Sequence, residues 1–153
     1  MLLNLTLNGK KVTADIAEDM VLLDFLRSQG CVSVKRGCET SNCGLCTVWL
    51  DEKPVLSCNI PAARVEGRRV TTLEGLRPQA EEFGGYLADE GGEQCGFCNP
   101  GFIMNVLAME RELTAEASDE EILDYLSGNL CRCTGYVSQL RAIRRWMKRG
   151  EQE

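Results

Sequence analysis

Residues 37–46 read Gly37-Cys38-Glu39-Thr40-Ser41-Asn42-Cys43-Gly44-Leu45-Cys46, and this stretch decides the fold because it places three thiols within nine residues. The spacing is C-x4-C-x2-C, and a fourth thiol follows after eleven intervening residues. Further thiols lie downstream in one C-x2-C pair and one C-x-C pair. Eight of the nine cysteines thus form two sets of four, and Cys31 has no obvious partner. We call them the N-terminal set (Cys38, Cys43, Cys46, Cys58) and the C-terminal set (Cys95, Cys98, Cys131, Cys133).

The composition disfavours several classes of partner. The 153 residues contain 17 Lys and Arg against 23 Asp and Glu, and the net charge of −6 argues against nucleic acid and anionic membranes. The chain has no apolar run long enough to span a membrane. Residues 1–7 enter a strand-like alternation without the basic and apolar regions of a signal peptide. We therefore expect a cytoplasmic protein that forms one ordinary domain or two small ones.

The cysteine content favours metal binding. Disulfides are disfavoured in a reducing compartment, and the odd count of nine also argues against a disulfide framework. The sequence has no histidine, which excludes Rieske-type clusters, His-containing zinc sites and His-based catalytic triads. The N-terminal set has the spacing of a plant-type ferredoxin [2Fe-2S] cluster. The C-terminal set could hold such a cluster or, alternatively, structural zinc.

An iron–sulfur cluster needs hydrogen-bond donors around it. Four thiolates make it anionic and reduction adds a further negative charge, so burial is costly unless N–H groups face the sulfurs. Gly37 and Gly44 suit a tight loop that supplies such groups. In the C-terminal set, each cysteine pair precedes a predicted helix, whose N-terminus offers free N–H groups and the positive end of the helix dipole. We predict that two helix N-termini face this site, with Arg132 adding a positive charge.

The first half of the chain is predicted to be a small α+β domain that ends near residue 75. Residues 2–16 alternate apolar and polar side chains around an Asn8-Gly9 turn, which predicts a β-hairpin. Residues 20–29 carry the apolar face of a helix. Short strand signals follow at 47–50, 55–58 and 69–72.

The second half is predicted to be a small helical bundle. A linker is expected near residues 74–79, followed by a short helix over 80–88 that its glycines interrupt. Asn99 and Pro100 are typical of an N-cap and a first helical residue. Three further patterns predict helices: the apolar spacing Phe102, Val106, Met109, Leu113, the capping box Ser118 to Glu121, and the apolar face within 136–148.

Two motifs in the second half carry a family resemblance. Residues 94–101 read Gln-Cys-Gly-Phe-Cys-Asn-Pro-Gly, and residues 127–136 read Ser-Gly-Asn-Leu-Cys-Arg-Cys-Thr-Gly-Tyr. In this order after the N-terminal set, they resemble the small iron–sulfur subunit of the molybdenum hydroxylases, the xanthine dehydrogenase and aldehyde oxidase family. The resemblance covers essentially the whole chain.

This resemblance implies a particular division of the chain. An N-terminal β-grasp ferredoxin-like domain would cover residues 1–75 and an all-α four-helix domain residues 76–153, each holding one [2Fe-2S] cluster on its own set of cysteines. In the family, the helical-domain cluster lies nearer the molybdopterin and the other cluster nearer FAD. Gln94 matches the family glutamine that approaches the pterin, so we predict a contact with that cofactor. A hydrogen bond within the linker between helices is the alternative role.

The chain departs from the family pattern at a few positions. The family loop usually reads Cys-x-Glu-Gly-x-Cys-Gly-Ala-Cys, whereas this chain has Thr40-Ser41-Asn42 between the first two cysteines and Leu45 before the third. Ser41 stands in place of the glycine. The family pattern therefore does not fix the orientation of the backbone amides in this loop, although it still gives the same cysteine ligands. Asn99 stands where the family usually has Thr, and either residue can cap a helix.

The resemblance also implies a function. The sequence has no nucleotide-binding glycine fingerprint and no room for a flavin or molybdopterin domain, so we expect no catalytic residues on this chain. A large molybdopterin-binding subunit, together with an FAD-binding subunit, would complete a heterotrimer or its dimer. A purine or other N-heterocycle would be hydroxylated on the large subunit. Electrons would then pass through the C-terminal set's cluster to the N-terminal set's cluster, and on to FAD or another acceptor.

Two other functions fit parts of the sequence. A free two-cluster ferredoxin-type carrier is compatible with the acidic composition, and a large apolar patch on the helical half would argue against it. A zinc-stabilised adaptor is the structural alternative, and it would be colourless.

Overall fold

A mixed five-stranded sheet forms the first half of the computed structural model, which describes residues 1–151. The strands are β1 (Leu2–Leu7), β2 (Lys10–Asp15), β3 (Thr47–Leu50), β4 (Lys53–Leu56) and β5 (Arg69–Thr71). Their order across the sheet is β2-β1-β5-β3-β4, with β1 and β5 parallel and the other neighbours antiparallel. Asn8 and Gly9 both have positive φ, as a two-residue hairpin turn requires, so the predicted hairpin is confirmed.

Helix α1 (Leu22–Ser28) packs in the core of this half. Its apolar residues are fully buried, and alternate residues of β1 are buried with them. Burial of the larger of these side chains contributes about 1.5–3 kcal/mol each. Together they form one apolar cluster, to which the following residues contribute: Leu3, Leu5, Leu7, Leu22, Leu23, Phe25, Leu26, Cys31, Val34, Val48, Leu50, Val65 and Val70.

Four helices make up the second half of the described chain. They are α2 (Arg77–Asp89), α3 (Asn99–Met109), α4 (Asp119–Tyr125) and α5 (Val137–Met147). Phe83 of α2 meets Trp146 of α5 edge to face, with ring centroids 5.6 Å apart. Ser118 and Glu121 form the predicted capping box at the start of α4. None of the helices in residues 1–151 is long and apolar enough to cross a membrane.

Residues 74–79, where a linker is predicted, are helical in this structure. A 3₁₀ turn (Leu73–Leu76) leads directly into α2, which runs unbroken through Gly84 and Gly85. Glycine costs a helix interior about 1 kcal/mol, and fully burying Phe83 and Leu87 on the same helix outweighs that cost.

Two predicted element boundaries also shift. Asp51 and Glu52 both have positive φ and form a two-residue turn, so β4 begins at Lys53 and ends before Cys58. Cys58 lies instead in a 3₁₀ turn (Ser57–Asn59). At the start of α3 the N-cap is Cys98, not Asn99, whose side-chain amide donates to Glu93 at 2.7 Å.

The two halves meet through close backbone contacts. The indole N–H of Trp49 on β3 donates to the Met104 carbonyl on α3 at 2.8 Å, and Trp49 belongs to the apolar cluster of the helical half. A Cβ on Gly101 would lie 2.2 Å from the Gly44 carbonyl oxygen, and a Cβ on Gly44 would lie 2.3 Å from the Gly128 carbonyl oxygen. Glycine at these positions allows the first cysteine loop to touch the helical half.

We predict that Gly101→Ala destabilises the protein, because the added methyl group forces the backbones of the two halves apart. A loss of about 1–3 kcal/mol is typical of such overpacking. Thermal unfolding of the purified full chain measures it. Gly85→Ala is the matched control: its added Cβ meets nothing within 4 Å, and alanine is the better helix former. Equal unfolding temperatures for the two variants would contradict the predicted contact.

Candidate metal centres

The N-terminal set lies on the loop between α1 and β3 and on the turn after β4. Cys43 and Cys46 are buried, whereas Cys38 and Cys58 are half-buried. The four thiols form two contacting pairs. Cys38 lies close enough to Cys43 for each thiol to shift the pKa of the other, and Cys58 lies close enough to Cys46 to shift the pKa of Cys46. The structure therefore arranges the four predicted residues of this set as two pairs.

Backbone amides converge on these sulfurs. The N–H groups of Asn42, Thr40 and Cys43 donate to the Cys38 sulfur and lower its pKa to about 6, since they stabilise the thiolate. The N–H of Cys58 donates to the Cys46 sulfur, but burial dominates there and raises the pKa of Cys46 to about 11. These donors are the groups that an anionic ligand set requires when it is removed from water.

The C-terminal set also forms two pairs, and both cross between chain segments. The sulfurs of Cys95 and Cys133 lie 3.6 Å apart, and Cys98 lies close enough to Cys131 for each thiol to shift the pKa of the other. Cys95 and Cys133 are exposed, while Cys98 and Cys131 are half-buried. Burial raises the pKa of Cys98 to about 12, and the neighbouring Cys131 thiol acts in the same direction.

The two helix N-termini contribute unequally to this site. Helix α3 starts directly after Cys98, as predicted. Helix α5 starts only at Val137, after a loop in which Tyr136 has a φ of 70°. That loop supplies the donors itself. Burial tends to raise the pKa of Cys131, but hydrogen bonds from the Thr134 hydroxyl and the Thr134 backbone N–H outweigh burial and lower it.

Pairs of thiols suit a two-iron cluster. Each iron of a [2Fe-2S] cluster takes two protein ligands, whereas tetrahedral zinc requires four donors around one ion. Within residues 1–151, no group of three or more Cys, Asp or Glu side chains converges on a single ion position. The four thiol pairs and the amides around them are therefore compatible with one [2Fe-2S] cluster on each set.

Cys31 takes no part in either site. Its side chain is buried in the apolar cluster of the first half, close to the Asn8 amide nitrogen at 3.9 Å. Burial raises the pKa of this thiol, which keeps it protonated and unreactive.

Gln94 is exposed and links the two segments of the C-terminal set. Its side-chain amide donates to the carbonyl of Cys133 at 3.1 Å, across 39 positions of the sequence. This contact agrees with the alternative role of Gln94, a hydrogen bond within the linker between helices. The predicted contact with a pterin is compatible with the exposure of the side chain and stays a prediction.

One cleft of about 480 Å³ joins the two candidate sites. Two thiols of the N-terminal set and all four of the C-terminal set line it. Beside it, the backbone N–H of Leu130 donates to the Cys43 carbonyl at 2.9 Å. The buried Asn129 side chain reaches the Gly44 carbonyl at 3.4 Å. The sequence did not predict that Asn129 and Leu130 join the two sites. Both residues lie directly before Cys131, and this position was the only sequence signal for their role.

Two hydroxyl groups near the sulfurs were also missed. The Thr134 hydroxyl lies 3.2 Å from the Cys131 sulfur, and the Ser41 hydroxyl lies 3.6 Å from the Cys58 sulfur. The Tyr136 hydroxyl accepts a hydrogen bond from the Cys131 N–H at 2.9 Å. The only sequence signal for the hydroxyl contacts of Ser41 and Thr134 was a short polar residue close to a cysteine of either set.

The sequence matches two iron–sulfur domain families. Residues 5–74 match the 2Fe-2S iron-sulfur cluster binding domain, and residues 72–144 match the [2Fe-2S] binding domain. Each match contains one complete set of four cysteines.

Relatives of known name align over almost the whole chain. One of the nicotinate dehydrogenase subunits of Pseudomonas putida is 42% identical, and the alignment covers 94% of this chain and 92% of that protein. Xanthine dehydrogenase 1 of Arabidopsis thaliana is 40% identical over 94% of this chain, but the chain spans only 12% of that longer protein. In the crystal structure of quinoline 2-oxidoreductase from Pseudomonas putida 86, one chain superposes with a TM-score of 0.87 at 34% identity, covering 99% of this chain and 98% of that one.

We predict that Cys133→Ser removes the iron held by the C-terminal set while the iron of the N-terminal set stays, because the two sets share no thiol. Iron counting and EPR of the reduced protein measure both. Cys31→Ser makes the same chemical change in a buried thiol outside both sets, and it should leave the iron content unchanged. Equal loss of both clusters in Cys133→Ser would contradict two independent sites.

Proposed function

Because this chain belongs to the small iron–sulfur subunits of the molybdenum hydroxylases, we propose that its eight paired cysteines hold two [2Fe-2S] clusters in series within a larger enzyme. The clusters would sit in two domains, residues 1–75 and 76–153, one on each set of cysteines. Two separate apolar clusters of side chains, one in each half of the described chain, support this division.

The protein's own groups perform three tasks in this function. The thiolates hold the irons, and a bound [2Fe-2S] cluster accepts and releases one electron at a time. The amides of Thr40, Asn42 and Cys43, with the loop around Thr134, stabilise the negative charge on the sulfurs. The packing of the two halves holds the two sets beside one cleft.

The proposal rests mainly on one contact, a backbone hydrogen bond that links the two cysteine sets. The Leu130 N–H donates to the carbonyl of Cys43, and Leu130 is covalently bonded to Cys131. Electron tunnelling is faster through covalent and hydrogen bonds than through space. We propose that electrons cross at this bond, from the C-terminal set to the N-terminal set.

The direction of flow follows from the partners we propose. Electrons would enter from a molybdopterin centre on a large subunit next to the C-terminal set, with Gln94 facing the cofactor. They would leave from the N-terminal set toward FAD on a third subunit or toward another acceptor, in a heterotrimer or its dimer. The exposure of Cys95 and Cys133 supports entry at the C-terminal set, because tunnelling requires a short distance to the donor.

A partner subunit explains the surface around the C-terminal set better than a free carrier does. Exposed apolar side chains cluster there, and three of them line the same cleft. Such a patch marks an interaction site, and it argues against a freely diffusing ferredoxin. The patch consists of Phe97, Leu130, Tyr136 and Val137.

The substrate would be an N-heterocycle, a purine or a related ring. Similar chains belong to enzymes named for nicotinate, quinoline and caffeine, all of which contain ring nitrogens. The substrate would react on the large subunit. We place the complete enzyme in the cytoplasm, because nine cysteines that form no disulfide suit a reducing compartment.

Iron counting and EPR test the two-cluster proposal directly. The anaerobically purified, dithionite-reduced chain should contain about four irons and give two distinct paramagnetic signals, one per set of cysteines. About two irons together with zinc would mean that the C-terminal set is structural, and the electron-transfer path would then be excluded.

We predict that Val137→Glu weakens co-purification with the large subunit without loss of iron, because it places a charge in the exposed apolar patch. A pull-down with tagged large subunit, read together with the iron content, measures the effect. Leu2→Glu is the matched control, since Leu2 and Val137 are equally exposed at 62% but Leu2 lies on β1, in the other half of the chain. Equal recovery of both variants would argue against this patch as the docking surface.

A further inference from the structure

Ser41 occupies a strained position in the first cysteine loop. Its φ is 56°, in the left-handed region that glycine adopts without cost. The residue is half-buried and lies between Cys38 and Cys43 in the sequence. A side chain kept at such a position calls for a contact that offsets the strain.

The hydroxyl of Ser41 makes that contact with a sulfur of the N-terminal set. Its oxygen lies 3.6 Å from the sulfur of Cys58, which is the thiol paired with Cys46. The neighbouring hydroxyl, on Thr40, is turned elsewhere and donates to the Asn42 side-chain oxygen at 2.9 Å. Of these two adjacent hydroxyls, only that of Ser41 reaches a sulfur.

The direction of the hydrogen bond follows from the chemistry of a bound ligand. A cysteine that binds iron is a thiolate and has no proton to donate, so the Ser41 O–H must be the donor. A donor to a ligand sulfur stabilises the more negatively charged state of the site. The reduced cluster is the more negatively charged one, because it holds one more electron than the oxidised cluster.

We propose that Ser41 is a positioning residue that raises the reduction potential of the N-terminal cluster by donating its hydroxyl proton to the Cys58 thiolate in a hydrogen bond. The inference rests on the proposed ligand set. The step that it would affect is the transfer of one electron from a cluster held by the C-terminal set to one held by the N-terminal set, which would leave the first oxidised and the second reduced with no proton transferred. A higher potential at the receiving set favours this transfer.

The surroundings of Ser41 are consistent with this role. Ser41 also lines a second cleft of about 470 Å³, together with Thr47, Asn105 and Gly128, so water can reach the loop. Solvent and the sulfur therefore compete for the hydroxyl. The C-terminal set has a comparable donor in Thr134, at 3.2 Å from Cys131. Both sets thus have a hydroxyl at a sulfur, and Ser41 is the residue at which this chain departs from the glycine of the family loop.

A redox titration followed by EPR tests the proposal on the full chain in complex with its partner subunits. Ser41→Gly removes the hydroxyl and relieves the strain, and Ser41→Ala removes the hydroxyl alone. We expect each to lower the ratio of reduced to oxidised N-terminal cluster about tenfold at a fixed potential, equivalent to about 59 mV for one electron. The potential of the other cluster should not change. Ser28→Ala, which removes a hydroxyl bonded to the Phe25 carbonyl at the end of α1, should leave both potentials unchanged.

The outcomes separate this inference from the proposed function. Unchanged potentials in both Ser41 variants, with both signals present in the unmodified protein, would overturn only the role of Ser41. Absence of the N-terminal signal in the unmodified protein would overturn the proposed function itself. Failure of both variants to hold the N-terminal cluster would also overturn the inference, because Ser41 would then act in assembly. An equal shift in Ser28→Ala would overturn it as well, because the effect would then not depend on a hydroxyl at a ligand sulfur.

Discussion

The hydrogen bond between the Leu130 N–H and the Cys43 carbonyl is the contact on which the arrangement of the two sites depends. It joins two loops that each carry cysteines of a candidate site, and those loops lie far apart in the sequence. The contact forms only because Gly44 and Gly101 leave no side chain between the backbones. Trp49 reinforces the junction from the sheet, since its ring packs in the helical core and its N–H donates to Met104. Two small cores are thereby held at one fixed geometry.

The second constraint is negative charge. In the proposed function, eight thiolates with their irons would form two anionic sites in a protein that is already acidic. The chain offsets this charge mainly with backbone N–H groups, which converge on Cys38 from Thr40, Asn42 and Cys43. Hydroxyls from Ser41 and Thr134 add single donors. The loops therefore have positive φ at several residues, because such conformations turn successive amides toward one point.

The two sets differ in exposure, and the difference matches their proposed order in electron transfer. The N-terminal set has two buried thiols, whereas the C-terminal set has two exposed ones beside an apolar patch. An exposed cluster beside apolar side chains is incomplete without a partner that covers it. A buried cluster is better shielded from water and from unspecific oxidants. The family relationship places a chain of this kind among the subunits of larger oxidoreductases.

The sequence by itself determined the chemistry, the α+β composition and most of the helices and strands. Cysteine spacing is local information, and so are the Asn8-Gly9 turn and the Ser118 capping box, because neighbouring residues alone create them. The tertiary structure decided which thiols pair. Cys95 contacts Cys133 and not its neighbour Cys98, since the meeting of two distant loops sets sulfur positions that spacing cannot encode. It also decided that α2 continues through its glycines, because burial of Phe83 and Leu87 outweighs helix propensity.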